Sequence, residues 1–277
     1  MRELAHLLIE PLVYAALVTL VFVPLEALAP LRAQRRCRYR ADVLFATVGA
    51  IFAQLGVYLT AGALLALSGH LGSTARLADA PSWLALPLSL VVFELGGYAY
   101  HRAAHRFAWL SRLHAVHHSA THMDWLAGFR QHPLEIGLMT AAQNLPLVLL
   151  GLPVEAHALL ILLVRLNSLF VHSNVRTPAW LRHVLATPTF HHRHHGVDGP
   201  AANFATLLPV LDRVFGTHAE DQASRFGLGS DEEPSFLALL LLRSTEAPER
   251  PRNGASPFSP SRSRPRPRRS SPPRHPE

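Results

Sequence analysis

The 277-residue sequence contains no lysine and only one cysteine, Cys37. The absence of lysine excludes the phosphate-binding loop of P-loop proteins and any chemistry that proceeds through a Schiff-base lysine. A single cysteine excludes an intrachain disulfide and a thiolate zinc site. Any metal bound by this chain must therefore be held by histidine and carboxylate side chains.

Charge is also scarce, because charged residues make up 16% of the sequence against about 25% in ordinary soluble domains. Hydrophobic residues make up 49%, which requires either a very large core or a lipid environment. The formal net charge is +7, and residues 246–277 carry most of that excess, with eight arginines against three glutamates. A basic tail on a nearly neutral chain argues against nucleic-acid binding, and we expect no nucleic-acid partner.

Long apolar runs favour the lipid environment. They cover residues 12–31, 43–67 and 83–100, and then a pair at 134–152 and 154–171. The first run predicts a transmembrane helix that is kinked or ends near Pro24. The last two, separated by Gly151 and Pro153, predict a helical hairpin that either spans the bilayer or only dips into it. We therefore expect an all-α fold, an integral-membrane helical bundle.

The placement of arginine predicts the orientation of this bundle. Several arginines follow the first and third runs, whereas the loop after the second run holds only Arg76. By the positive-inside rule, the loop after the first run, residues 101–133 and the C-terminal third lie in the cytoplasm. The lysine-free composition, rich in Arg, Ala, Leu and Pro, indicates a GC-rich bacterial source and hence the bacterial inner membrane.

Three regions follow from these patterns. Residues 1–100 are predicted to be N-terminal transmembrane helices. Residues 101–245 are predicted to be a histidine-rich catalytic region that includes the membrane hairpin 134–171. Residues 246–277 consist largely of Pro, Arg and Ser, cannot bury enough apolar surface to fold, and are predicted to be disordered.

Histidine recurs at helical spacing in three clusters. Residues three or four apart share a helix face, so their imidazoles can reach one metal. The neighbours His117 and His118 point about 100° apart, which suits two adjacent metals better than one. Neutral imidazole binds Fe, Zn and Cu, and the spacing does not choose among them. The candidate ligands, too many for one ion and reasonable for two, are His101, His105, His114, His117, His118, His172, His191, His194 and His195, with His192 as an alternative to His191.

Two other classes of protein compete with an enzyme. A metal-binding or transport protein predicts ionisable residues along a path through the spans. The second run has none, and the clusters lie at one face of the membrane, which favours an enzyme. An inactive scaffold is the other alternative, and the intact histidine motifs argue against it.

The motifs resemble the fatty acid hydroxylase superfamily, also called the sterol desaturase family of integral-membrane diiron enzymes. The likeness runs from about Glu94 to His218. Two positions depart from the family pattern, since Ala205 stands in place of glycine and Leu211 in place of tryptophan. The matching motifs are Glu94 with His101-Arg102-x-x-His105, His114-x-x-His117-His118-Ser119, Arg130-x-His132-Pro133-x-Glu135, His172-Ser173-Asn174, Thr187-Pro188-x-x-His191-x-x-His194-His195, Asn203-Phe204-Ala205 and Leu211-Asp212-Arg213-x-Phe215-Gly216-Thr217.

This resemblance implies a cytoplasmic, histidine-rich cap that holds two iron ions on the nine histidines, with no catalytic residues beyond the metal ligands. It implies an oxygen-dependent oxidoreductase that hydroxylates or desaturates a C–H bond of a lipid such as a sterol or fatty acyl chain. The chain has no haem, flavin or nicotinamide motif, so the electrons are expected from a ferredoxin or small cytochrome with its reductase. The residues expected to orient the ligands are Glu94, His132, Asn174 and Asp212. For Glu94 we predict that its carboxylate fixes an imidazole tautomer, the alternative being a buried acid paired with an arginine.

Overall fold

The computed structural model describes residues 2–34, 39–71, 77, 80–152, 154–229 and 233–243. In these ranges the regular secondary structure is helical and no β-strand forms; an isolated antiparallel bridge pairs Pro30 with Val175. The all-α prediction is confirmed. The helices are α1 (Arg2–Leu28), α2 (Arg40–Leu44), α3 (Ala50–Leu71), α4 (Ser82–Ala104), α5 (Ala108–His118), α6 (Pro133–Leu150), α7 (Val154–His172), α8 (Pro188–His195), α9 (Val210–Val214) and α10 (Phe236–Leu240).

Four helical segments are long and apolar enough to cross a membrane: Ile9–Leu28, Arg40–His70, Ser82–Ala104 and Pro133–Leu150. Part of α7, Leu159–His172, is a shorter apolar helix. Large apolar side chains point outward from these segments, as in Leu20 and Leu65, which are 74% and 71% exposed. Such surfaces are stable when lipid covers them, so the predicted membrane bundle is confirmed.

The first span does not end near Pro24, which was one of the two outcomes predicted there, the other being a kink. Helix α1 runs through Pro24 and ends at Leu28. A proline removes one backbone hydrogen bond, and a long apolar helix can tolerate that loss. The second span is also longer than the apolar run 43–67 that predicted it. Helix α2 is joined to α3 by a π-helical turn at Phe45–Gly49, and the two form one continuous span.

Glycines bring α3 and α4 close to α6. A Cβ atom on Gly96 of α4 would lie 2.2 Å from the carbonyl oxygen of Ala142 in α6. A Cβ on Gly56 of α3 would lie 3.1 Å from the carbonyl oxygen of Pro133. Small residues at these contacts let the helix backbones approach each other within the bundle. Helix α6 is thereby held between its two neighbours.

Helices α6 and α7 occupy the range 134–171 in which a membrane hairpin was predicted. Helix α6 ends at Leu150 and is followed by Gly151, whose φ of 68° lies in the left-handed region that favours glycine. Helix α7 then returns the chain and ends at His172.

A cap forms at one end of the bundle. The end of α1 reaches it through Glu26, whose Oε1 accepts the backbone N–H groups of Trp125 and Asn174, each at 2.8 Å. Helix α5 packs against the start of the second span, because Val116 and Phe45 share a buried cluster with Phe236 of α10. The predicted tail 246–277 and residues 35–38 of the arginine-rich loop lie outside the described residues.

Candidate metal centre

Four helices deliver the nine candidate histidines to the cap. His101 lies in the last turn of α4 and His105 follows that helix. Helix α5 carries His114, His117 and His118 in its last turns, and His172 is the last residue of α7. The remaining three lie on α8, which begins where Thr187 Oγ1 accepts the backbone N–H of Phe190. The four helices therefore bring their histidines together in the cap.

The structure divides the nine histidines into two groups that could each hold a metal ion. The side-chain nitrogens of one group lie within 4.8 Å of one another, and the same is true of the other. His117 and His118 fall into different groups, as their separation around the helix predicts. We call the first the five-histidine group (His101, His105, His114, His118 and His194) and the second the four-histidine group (His117, His172, His191 and His195).

The two groups are adjacent. The rings of His118 and His195, one from each group, are stacked with centroids 4.3 Å apart. The rings of His117 and His118 lie 5.7 Å apart. Two bound ions would therefore be neighbours.

Within each group the Nε2 atoms point at one another. Nε2 of His118 lies 3.1 Å from Nε2 of both His114 and His194. In the second group, Nε2 of His195 lies 3.1 Å from Nε2 of both His117 and His191. Two nitrogens about 2.1 Å from a common ion and at right angles would be about 3.0 Å apart. The spacing therefore fits nitrogens that share an ion.

Backbone carbonyl groups fix the tautomers of several of these rings. Nδ1 of His101 donates to the oxygen of Phe204 at 2.7 Å, and Nδ1 of His194 donates to that of Ala202 at 2.8 Å. Nδ1 of His117 donates to the oxygen of Arg130 at 3.0 Å. A carbonyl oxygen only accepts, so the proton must be on Nδ1, and a neutral ring then presents a lone pair at Nε2.

Burial keeps these rings neutral. It lowers the pKa of His117 to about 4, with a further contribution from His114. Burial and the neighbouring histidines also hold the pKa values of His191, His194 and His195 well below the usual range. Several lone pairs that face one another in a buried space repel unless a cation lies between them. The donor set therefore fits a metal at each group.

Glu94 does not perform the role that the sequence predicts for it. Its Oε2 accepts the backbone N–H groups of Leu207 and Leu208, at 2.8 and 3.0 Å, and its carboxylate makes no hydrogen bond to a histidine ring in the described structure. The alternative, a pairing with arginine, is not formed among the described residues either. Glu94 instead fastens α4 to the segment that leads into α9. The reason is geometric, because two helical turns separate Glu94 from His101 along α4.

Glu135 has the contact that was expected of Glu94. Its Oε1 lies 2.5 Å from Nδ1 of His114, and both side chains are buried. The sequence contained a signal for this residue, since Glu135 ends the Arg130-x-His132-Pro133-x-Glu135 motif. The motif alone assigned it no role.

Asp212 contacts a candidate ligand through the backbone. Its carboxylate accepts the N–H groups of Phe204 and Ala205, each at 2.8 Å, and the hydroxyl of Thr217 at 2.6 Å. The carbonyl of Phe204 in turn accepts from His101. Asp212 therefore reaches the five-histidine group through one peptide unit.

The other three predicted residues lie beside the centre without entering either group. Asn174 bonds through its amide to both backbone groups of Arg32, at 2.9 Å each. His132 accepts from Leu134 N–H and donates to the carbonyl of Leu240. His192, the alternative ligand, donates from Nε2 to the carbonyl of His172 at 3.1 Å.

A cavity of about 330 Å³ opens from the histidines into the bundle. It reaches both groups and continues between α1, α3, α6 and α7. Most of its wall is apolar, with side chains such as Val57, Phe93, Phe129, Ile136 and Ile161. A narrow apolar space between membrane helices fits part of a lipid molecule.

The fold and the site together define a helical membrane protein with two adjacent, buried histidine groups that could hold metal. Residues 86–217, which contain all nine histidines, match the family model described as Fatty acid hydroxylase. This match covers the part of the chain that carries the motifs, and it confirms their resemblance to that family.

Similar proteins agree with this resemblance. An ornithine lipid hydroxylase of Rhizobium tropici is 32% identical over 161 residues, which are 55% of this chain and 48% of that protein. The alkylglycerol monooxygenase of Homo sapiens is 30% identical over 49% of this chain and 31% of its own length. A very-long-chain aldehyde decarbonylase of Oryza sativa subsp. japonica is 31% identical over 51% of this chain and 25% of its own. The chain thus spans less than half the length of these relatives. No solved structure is significantly similar to it.

Proposed function

We propose that this protein is a membrane-bound diiron oxygenase that uses O2 and external electrons to hydroxylate or desaturate a C–H bond of a lipid. The observation that carries the proposal is the position of two neutral histidine groups at the end of an apolar cavity within membrane helices. The superfamily supports the oxygen chemistry, because two of the similar proteins are named as a hydroxylase and a monooxygenase.

Iron is the metal we propose for both groups. All nine donors are imidazole nitrogens, which suit iron, and the single cysteine cannot supply the thiolates that structural zinc sites favour. When bound, two iron ions would supply the activation of O2 that an unactivated C–H bond requires. The chain contributes the fixed Nδ1 tautomers, the lone pairs at Nε2 and the exclusion of bulk water from the buried rings.

The cavity determines which substrates fit. Its apolar wall would take up a hydrocarbon segment directly from the bilayer, such as part of a fatty acyl chain or a sterol. His101, His114 and His117 line the same space, so a carbon at its inner end would lie next to both groups. The protein would hold that carbon in place and keep the rest of the lipid in the membrane.

Electrons would enter beside His105, from a ferredoxin or small cytochrome supplied by its reductase. His105 is partly exposed, whereas the other four members of its group are buried. Arg102, Arg106 and Phe107 are exposed around it, and a groove next to it is lined by Tyr98 and Phe215. A basic surface with exposed aromatic side chains suits an acidic electron-carrying protein.

We place the protein in the bacterial inner membrane with the metal centre on the cytoplasmic side. The supporting observations are the four candidate spans and the arginines next to the ends of α1 and α4. The cap lies at these same helix ends, so the histidines would lie on the same side of the membrane as the arginines.

Metal analysis of the purified protein tests the proposal. After expression with iron in excess and purification in a neutral detergent, we expect about two iron ions per chain. His117→Ala and His194→Ala, one from each group, should each lower the iron content and abolish oxygen-dependent turnover. His183→Ala, an exposed histidine outside both groups, is the matched control. Less than one metal ion per chain in the wild type contradicts the diiron centre. Full metal content without any lipid product would instead support a metal-binding or transport protein.

A further inference from the structure

A charged side chain lies inside the bundle, away from the histidines. Arg165 is on α7, between the apolar residues Val164 and Leu166, and it lines the cavity that contains His101 and His172. A charged residue in a membrane helix is costly to keep, faces a protein interior or cavity, and usually marks a functional site. The histidine centre does not use it.

The hydrogen bonds of Arg165 leave most of its capacity unused. Its Nη2 donates to Oε1 of Gln54 on α3 at 2.8 Å. In the described part of the chain this bond to a neutral amide is its one side-chain hydrogen bond, although a guanidinium group offers five N–H donors. The nearby acid Glu10 accepts from the hydroxyl of Tyr58 at 3.0 Å. Arg165 therefore carries a positive charge and free donors at the wall of the cavity.

The distance from Arg165 to the histidine centre is short. Seven residues separate it from His172 on the same helix, which is two turns or about 10 Å along the axis. Both side chains line one cavity. A lipid whose polar end meets the guanidinium can therefore reach the four-histidine group with a part of its own chain.

We propose that Arg165 binds an anionic oxygen group, a carboxylate or a phosphate, of the lipid that enters the cavity. A guanidinium group forms strong, paired hydrogen bonds with such groups, and their strength rises where water is excluded. This inference deepens the proposed oxygenase function. One consequence of it, the position of the oxidised carbon, rests on that function. If the anionic group is held at Arg165, oxidation falls on carbons at a set distance from the polar end of the lipid and not at the far end of a long chain.

A binding measurement tests the role of Arg165 without any turnover. Protein in a neutral detergent is titrated with palmitate and with hexadecanol, which differ only in the anionic group, and separately with phosphatidic acid and diacylglycerol. We expect the wild type to bind at least one anionic lipid about tenfold or more tightly than its neutral match. The pair that shows the difference identifies the source of the group, a free fatty acid or a phospholipid.

Variants of Arg165 then locate the effect. Arg165→Gln should remove the preference, and Arg165→Lys should keep part of it, because the charge remains but the paired hydrogen bonds are lost. Arg176→Gln, which removes an exposed arginine of the cap, should leave the preference unchanged. A preference that survives in Arg165→Gln overturns the proposal. If that variant does not fold, the wild type still decides, since equal binding of the anionic and neutral lipids also overturns it.

The outcome is separable from that of the proposed function. A wild type that binds anionic lipids selectively but forms no oxidised product would support the Arg165 site and contradict the oxygenase. Oxidised product without any preference for anionic lipids would contradict the Arg165 site and support the oxygenase.

Discussion

Glu135 Oε1 and His114 Nδ1 lie 2.5 Å apart in a buried contact between α6 and α5. The carboxylate holds the proton on Nδ1, and Nε2 of His114 then faces Nε2 of His101 and of His118, at 3.2 and 3.1 Å. One acid from a membrane helix thereby orients a ring at the centre of the five-histidine group.

Loss of the Glu135 carboxylate should weaken metal binding. Partners that orient metal-binding histidines typically contribute about 10- to 100-fold in metal affinity. We expect Glu135→Gln to lower the iron affinity by a factor in this range, measured by competition with a chelator. Glu220→Gln, at a side chain that is 61% exposed, is the control. Unchanged affinity in the Glu135 variant would show that the contact does not support the metal.

Removal of the Arg130 side chain should destabilise the cap. Its guanidinium is fully buried, pairs with Asp42, and donates to Glu233 and Ser119 at 2.9 and 3.2 Å. Arg130→Met would leave buried carboxylates without a partner, which costs roughly 3–5 kcal/mol. The same variant should also weaken iron binding, because the backbone carbonyl of residue 130 accepts from His117 and loss of the buried ion pairs would shift it. Thermal unfolding in detergent measures the first effect, and Arg243→Met on the exposed surface is the control.

The pairing of Glu233 with Arg130 should make part of the stability depend on pH. Burial opposes the charge on Glu233, but Arg130 and the hydrogen bonds from Thr121 outweigh it and lower the pKa. A lowered pKa means that this stabilisation is present above the ordinary glutamate pKa of about 4.3 and is lost as the pH falls through the lower, folded-state value. Glu233→Gln should therefore be less stable than the wild type near neutral pH, and the difference should shrink in acid. Melting temperatures of both proteins from about pH 6 to about pH 3.5 test this window. A difference that stays constant would mean that the charge of Glu233 contributes nothing.

Close packing of α4 on α6 should make Gly96 intolerant of a side chain. A Cβ there would lie 2.2 Å from the Ala142 carbonyl oxygen, so Gly96→Ala forces the helices apart and should cost about 1–3 kcal/mol. Gly62→Ala provides the matched control, since no atom lies within 4 Å of its Cβ position, and it should be neutral or slightly stabilising. Equal melting temperatures for the two variants would contradict the close contact.

Charge reversal beside His105 should impair the electron donor and leave the metal centre intact. With an acidic donor protein, Arg102→Glu together with Arg106→Glu should raise the KM for the donor by about tenfold or more and leave kcat nearly unchanged, because rim charges act mainly on association. The effect should fade at high salt. Arg176→Glu is the control, and iron content verifies that the centre is retained. A loss in kcat alone would place the docking surface elsewhere.

Local sequence pattern accounts for much of the fold. Apolar runs predicted the spans because a helix in lipid must present hydrophobic side chains over about 20 residues. The ends were less predictable, as α1 shows by passing Pro24. Long apolar helices retain their remaining hydrogen bonds in a membrane, so a proline there does not have to end the helix.

Glu94 and Glu135 show which contacts the local sequence pattern does not predict. Glu94 and Glu135 are each the one acid of an apolar run. Each of them lies near a histidine, either in the sequence or in the structure. Only the packing of α6 against α5 brings Glu135 to His114, and only the return of the chain at residues 207 and 208 gives Glu94 two backbone donors. A contact between side chains on different helices depends on rotation and depth, which helical spacing does not specify.

The sequence by itself determined the candidate metal donors of this protein, because the lack of lysine and the single cysteine left histidine as the main candidate, and helical spacing put those histidines on shared faces. Tertiary structure decided how the donors combine. His105 and His194, 89 positions apart in the chain, have Nε2 atoms 3.2 Å apart, and Arg165 lies on the cavity that His172 also lines. Periodicity fixes which residues of one helix lie side by side, but the meeting of separate helices depends on close packing throughout the bundle.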